Sequence, residues 1–99
     1  MTELHVVATI PVRPEAVDEV RRALETLAAA TRSEDGCLAY DLFESASTPG
    51  TFVTLERWTD SAALDAHMGT PHVAAAFEAA GEALTGEVSI HPLRPVDVA

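Results

Sequence analysis

The chain has 99 residues and a formal net charge of −10, with 16 acidic residues against six basic ones, all arginines. Such an acidic chain has no basic patch to bind a phosphate backbone or an anionic bilayer, which excludes nucleic acid and membrane as main partners. Its length favours one domain over residues 1–99, and a hydrophobic fraction of 47% is ordinary for a globular fold.

Cysteine content and the first residues bear on the compartment. Cys37 is the only cysteine, so no intrachain disulfide can form and nothing indicates an oxidising environment. Met1-Thr2-Glu3-Leu4 lacks the basic and apolar regions of a signal peptide. The sequence therefore predicts a cytoplasmic protein.

The first predicted elements are a strand and a helix. Leu4 to Ile10 is rich in β-branched residues and closed by Pro11, which is typical of a strand, and both its faces are largely apolar. Pro14 suits the first position of a helix. That helix is expected to stop near Gly36, and its apolar stripe comprises Val17, Val20, Leu24, Leu27, Ala28 and Thr31.

Two strands joined by a turn follow. Cys37 to Glu44 alternates imperfectly between apolar and polar residues, and Ser45 to Gly50 is a turn of small residues. Thr51 to Trp58 is the third strand. One of its faces carries Phe52, Thr54, Glu56 and Trp58, and the other carries Val53, Leu55 and Arg57.

A broken helix and a last strand complete the chain. Thr59-Asp60-Ser61 can cap a helix that breaks near Gly69, and Thr70-Pro71 restarts it. The second piece is expected to run to Gly86, with a stripe of Val73, Ala76, Phe77, Ala80 and Leu84. Val88 to Leu93 is the fourth strand, and Pro92 within it predicts an edge position.

The resulting order, β-α-β-β-α-β, is the ferredoxin-like split βαβ pattern of an α+β fold with an antiparallel sheet. Both helices then cover one face of the sheet. The other face would leave an apolar patch of roughly several hundred Å² in a monomer, because the first strand is apolar on both sides. Pairing two sheets face to face removes that patch, so we expect a homodimer.

The segment Phe52–Trp58, the helix that ends in His67, and Thr70-Pro71-His72 together resemble the signature of the antibiotic biosynthesis monooxygenase family. The run Gly36–Tyr40 and the junction Val12–Glu15 add to the resemblance, which covers the whole chain. It implies a dimeric α+β barrel with a pocket between sheet and helices.

Members of that family include cofactor-free oxygenases of phenols and quinols, haem-degrading enzymes and an isomerase of a signalling metabolite. The haem-degrading branch uses an Asn on the first strand, which LHVVATI lacks, and no His lies near Phe77. We therefore expect no haem. A Gly-rich phosphate loop is absent from the sequence, so nothing supports a flavin or nucleotide either, and no cofactor is expected.

His67 and His72 are candidate catalytic bases because imidazole titrates near neutral pH. The alternative is that one packs the helix break and the other lies half exposed. Their spacing does not match the i, i+4 pair of a helical metal site. With His5 and His91 elsewhere, the four histidines are scattered along the sequence, so no metal site is expected.

Glu56 is a third candidate catalytic residue, and the alternative for it is a structural ion pair with an arginine. Trp58 and Tyr40 are candidate substrate-binding walls, with core packing as the alternative for each. Phe77, on the stripe of the last helix, is added as a third wall.

The resulting hypothesis is a cofactor-independent monooxygenase whose substrates are a small phenol or quinol and dioxygen. Two alternatives stay open: an isomerase or lyase of a small carbonyl metabolite, and a non-enzymatic dimeric binder of a small hydrophobic ligand.

Overall fold

The computed structural model describes residues 3–98. Four strands form one antiparallel sheet: β1 (Leu4–Pro11), β2 (Cys37–Glu44), β3 (Thr51–Trp58) and β4 (Ser89–Leu93). They lie in the order β2-β3-β1-β4, which is the ferredoxin-like arrangement. The helices are α1 (Val17–Thr31), α2 (Ser61–Met68) and α3 (Pro71–Ala80). The expected α+β fold is confirmed.

The helices cover one face of the sheet, which we call the inner face. Its strand residues alternate with outward-pointing ones and are buried against apolar side chains of α1 and α3. The opposite, outer face is not covered by any described residue. It bears half-exposed apolar side chains that include Phe43, Leu55 and Leu93.

A β-bulge explains the imperfect alternation of β2. Cys37 lies opposite Trp58 and Ala39 lies opposite Arg57, so that Leu38 is the extra residue. The bulge lets both Cys37 and Tyr40 point to the inner face, although they are three residues apart. Tyr40 thereby comes to lie directly opposite Glu56.

The second helical region differs from the expectation at its end. Helix α3 stops at Ala80 instead of continuing to Gly86, and a 3-10 turn follows over Gly81–Ala83. The φ and ψ of Gly81, 3° and −98°, depart from the α-helical values, and Leu84 is extended and bridges to Val12. Leu84 therefore does not lie on the helical stripe.

The other boundaries agree closely with the sequence. A 3-10 turn over Pro14–Ala16 precedes α1. Strand β4 begins one residue later than expected and lies at the edge of the sheet. Pro92 cannot donate a backbone hydrogen bond, and at an edge strand this does not interrupt the pairing of a central strand. Within residues 3–98, no helix is both long and apolar enough to cross a bilayer.

Candidate functional site

A cleft opens between the inner face of the sheet and the helices α2 and α3. It encloses about 410 Å³ of empty space, including its open mouth. Apolar side chains make up most of its wall, and the polar exceptions come from β2, β3 and α2. The lining residues with polar atoms are Tyr40, Thr54, Glu56 and His67.

Glu56 projects from β3 into this cleft with both carboxylate oxygens occupied. The Trp58 indole N–H donates to Oε1 at 2.9 Å, and the Thr54 hydroxyl donates to Oε2 at 2.6 Å. Both donors are neutral, and the carboxyl group is buried. The alternative of an ion pair with an arginine is therefore wrong: residues i−2 and i+2 on the same strand face hold Glu56 instead.

Trp58 lies beneath the cleft and does not line it. Its side chain is completely buried among Val6, Ala28 and Leu64. Its ring packs against that of His67, with the centroids 4.7 Å apart. The sequence suggested a wall that stacks on substrate, but the structure places Trp58 in the core, where its N–H holds Glu56.

Tyr40 contributes a phenol to the cleft from the neighbouring strand. Burial, reinforced by the Glu56 carboxylate directly opposite, raises the pKa of this phenol well above its ordinary value of 10. The Thr54 side chain works in the opposite direction but does not outweigh burial. Tyr40 is therefore a neutral group that can donate a proton or a hydrogen bond.

His67 and His72 converge on one carboxylate oxygen. His67 Nδ1 lies 2.7 Å from Glu34 Oε2, and His72 Nε2 lies 2.6 Å from the same atom. We call these three residues the Glu34 cluster. It joins the loop before β2 to the last turn of α2 and the first turn of α3, and it is the part of the described chain that offers the donor set of a metal site.

The Glu34 contact determines how the His67 ring can act. A carboxylate accepts hydrogen bonds, so the neutral imidazole carries its proton on Nδ1 and leaves Nε2 as an acceptor. His67 lines the cleft, and Nε2 is on the side of the ring away from Glu34. A carboxylate that holds one imidazole nitrogen in this way fixes the ring and leaves the other nitrogen able to accept a proton.

Local sequence explains why the cluster assembles. The Thr70 side chain caps α3 and also donates to the His67 carbonyl at 2.7 Å, which fixes the break between α2 and α3. The turn after Glu34 requires Gly36, whose φ is +86°. A Cβ at Gly36 would lie 2.6 Å from the Ala63 Cβ, so only glycine lets this loop pack against α2.

Phe77 stands between the cleft and a second, entirely apolar groove. Its side chain is 42% exposed, so it is not part of the buried stripe of α3. The groove encloses about 290 Å³ and shares Ile10, Leu27, Phe77 and Val88 with the cleft. Phe77 therefore borders both spaces.

The structure brings four of the six candidate residues into the cleft wall, namely Tyr40, Glu56, His67 and Phe77. Trp58 and His72 lie behind it, the first under Glu56 and the second across Glu34 from His67. Sequence reasoning missed Glu34, which lies two residues before Gly36, the expected end of the first helix. Its neighbour Asp35 is equally acidic, so only the fold distinguishes the two.

The comparisons with known proteins agree with this architecture. The family model described as antibiotic biosynthesis monooxygenase matches residues 4–79. Rv0793 of Mycobacterium tuberculosis is 42% identical over 94 residues, covering 95% of this chain and 92% of that protein. YcnE of Bacillus subtilis is 42% identical over 65 residues, covering 66% of this chain and 68% of YcnE. Both carry provisional monooxygenase names. The solved structure of Rv0793 superposes with a TM-score of 0.87 at 40% identity, covering 99% of each chain.

Proposed function

Because the chain belongs to the antibiotic biosynthesis monooxygenase family, we propose that it oxidises an electron-rich phenol or quinol with dioxygen and without a cofactor. The observation that carries this proposal is His67, whose Nδ1 contacts Glu34 and whose ring lines a mostly apolar cleft, so that Nε2 is the ring nitrogen left to meet a substrate. A base in such a cleft can deprotonate a bound phenol.

The reaction begins with transfer of the phenolic proton to His67 Nε2. The phenolate gives one electron to dioxygen, and the phenoxyl and superoxide radicals combine at a ring carbon to form a peroxide. Protonation by His67 gives the hydroperoxide. The O–O bond then breaks, and the terminal OH leaves together with the hydrogen of that carbon as one molecule of water. One oxygen atom becomes a ring carbonyl and the other leaves as water, so a phenol and dioxygen give a quinone and water without an external reductant.

The walls of the cleft suit this chemistry. Apolar side chains from β1, α1 and α3 exclude water, which protects the radical pair and strengthens the Glu34–His67 interaction. Tyr40 is a neutral donor that can hydrogen-bond a substrate oxygen. Phe77, which is partly exposed, adds an aromatic side chain to the wall, and the N–H of the buried Trp58 holds Glu56.

The protein acts as a homodimer in this proposal. Phe43, Leu55 and Leu93 are 51%, 45% and 44% exposed on the outer face, in a monomer of 10.5 kDa. Face-to-face pairing of two sheets would bury these side chains.

A second candidate function is an isomerase or lyase acting on a small carbonyl compound. It is favoured by the pairing of a base with a neutral acid in one cleft, since the rings of His67 and Tyr40 are 5.8 Å apart at their centroids. Such a pair can remove a proton beside a carbonyl and return one to the oxygen.

The test is a panel of phenols, hydroquinones and small carbonyl compounds, each followed by oxygen uptake and product mass. We expect uptake of one dioxygen for each phenol or quinol converted, and one ¹⁸O atom per product when ¹⁸O₂ is supplied. Turnover of a carbonyl compound without oxygen uptake would establish the second function instead. Saturable binding of the panel with no turnover would contradict both and leave a binding protein.

The matched variants are His67→Ala and His91→Ala. His91 lies on the edge strand β4, outside the cleft but on the outer face of the sheet, so dimerisation of this variant is checked before its activity is compared. Loss of a general base lowers turnover by roughly 100-fold or more, so His67→Ala should lose activity in the folded protein and His91→Ala should retain it. Equal activity of the two variants would remove His67 from the mechanism.

A further inference from the structure

We propose that the Glu34 cluster is a binding site for a divalent transition metal ion such as Zn²⁺. One ligand atom from each of Glu34, His67 and His72 lies within 4.8 Å of the other two. The three residues come from separate elements, and neither their spacing in the sequence nor the similarity to known proteins assigns a metal to them.

The donor set is the one that zinc uses when it keeps an open position. Two imidazole nitrogens and one carboxylate oxygen bind the ion, and water takes the fourth place. Tetrahedral ligands at zinc lie roughly 3.3 Å from one another. Glu34 Oε2 is now 2.7 Å from His67 Nδ1 and 2.6 Å from His72 Nε2. Binding of the ion therefore requires Glu34 Oε2 to move away from both rings, and the two ring nitrogens, which lie within 4.8 Å of each other, to take up the same separation of roughly 3.3 Å.

The site can be reached from solvent. The side chains of His72 and Glu34 are 26% and 13% exposed, whereas that of His67 is 5% exposed. An ion can therefore enter beside His72 without opening the core. The formal net charge of −10 raises the local concentration of cations around the molecule.

Metal binding changes the proton arrangement on both rings. The ion takes the lone pair of His67 Nδ1 and of His72 Nε2, and each ring keeps its single proton on the other nitrogen. His67 Nε2 then becomes an N–H donor facing the cleft. The metal should consequently inhibit any reaction that needs a base at Nε2. This inhibition rests on the proposed function, whereas the binding itself does not.

Binding is tested on tag-free protein freed of metal with a chelator and then dialysed. Titration calorimetry with Zn²⁺ and visible spectroscopy with Co²⁺ should both give one ion per subunit, and the Co²⁺ bands should be those of a four-coordinate ion. His72→Gln and Glu34→Gln should each weaken Zn²⁺ binding by at least about tenfold. His91→Ala serves as the matched control and should bind like the wild type.

A readout on the wild type avoids dependence on variants that fold poorly. On addition of Zn²⁺, the ¹⁵N resonances of His67 Nδ1 and His72 Nε2 should shift. Absence of stoichiometric binding, or shifts confined to His5 and His91, would show that the cluster is only hydrogen-bonded and would overturn the proposal. These readouts need no substrate, so failure of the proposed oxygenase activity would leave the result on metal binding intact.

Discussion

Replacement of Trp58 by phenylalanine tests the buried support beneath the cleft. The substitution removes the N–H that donates to Glu56 Oε1 at 2.9 Å and leaves a completely buried site with less aromatic volume. A hydrogen bond to a charged group contributes about 1.5–3 kcal/mol. With the lost packing, we expect Trp58→Phe to lower the free energy of unfolding by about 3 kcal/mol.

The loss is measurable as a shift in thermal midpoint. In a domain of this size, 1 kcal/mol corresponds to about 4–8 °C, so the Tm should fall by roughly 12–24 °C. Circular dichroism is the appropriate probe because Trp58 is the only tryptophan and its removal abolishes indole fluorescence. Protein concentration must be held constant, since dimerisation would make the Tm depend on it.

Two further variants separate the hydrogen bond from packing. Phe52→Leu is the control for packing, because it reduces side-chain volume at another buried position of β3 without removing a side-chain hydrogen bond. The neighbours of Phe52 in the core cluster are apolar. Glu56→Gln keeps an acceptor for Trp58 but removes the charge, so the double-mutant cycle with Trp58→Phe should give a coupling of about 1 kcal/mol. A Trp58→Phe variant that is no less stable than Phe52→Leu, with no coupling, would refute this reasoning.

Three other predictions concern the turn, the phenol and the outer face. Gly36→Ala should lower the free energy of unfolding in urea by at least about 1–3 kcal/mol, because φ is +86° and the new methyl would meet Ala63; unchanged stability would contradict the assigned turn. Since burial raises the pKa of Tyr40, the only tyrosine, metal-free native protein should show no tyrosinate absorbance near pH 10, about the pKa of a free phenol; a rise there would mean that the phenol is exposed. Sedimentation of the wild type should give about twice the 10.5 kDa chain mass, and Leu55→Lys should give a monomer; a folded wild-type monomer would argue against pairing through the outer face.

The fold follows from local signals that act at short range. Several of these signals each predict an element that the structure contains. They are the period-two alternation in β3, the caps at Asp60 and Thr70, and Pro71 at the start of α3. The end of α3 was not predictable from its apolar stripe. There Leu84 forms a bridge to Val12, and such a long-range contact leaves no periodic signal in the sequence.

The site was predictable in its residue types but not in its connections. Glu56 and Trp58 share a strand face, as the alternation in β3 predicts. Which oxygen of Glu56 accepts the hydrogen bond from the indole N–H depends on side-chain rotamers, which the sequence does not specify. Glu34 lies 33 residues before His67, and only the packing of the Gly36 turn against α2 brings the two together. No local pattern specifies that distance.

The protonation of His67 in the metal-free protein tests the central claim most directly. Long-range ¹H–¹⁵N correlation spectra at about pH 8, where an ordinary imidazole is neutral, report which ring nitrogen carries the proton. The contact with Glu34 at 2.7 Å predicts a proton on Nδ1 and a bare Nε2, and Glu34→Gln should weaken that preference because the amide is the poorer acceptor. A proton on Nε2 in the wild type would leave no base facing the cleft and would contradict the account.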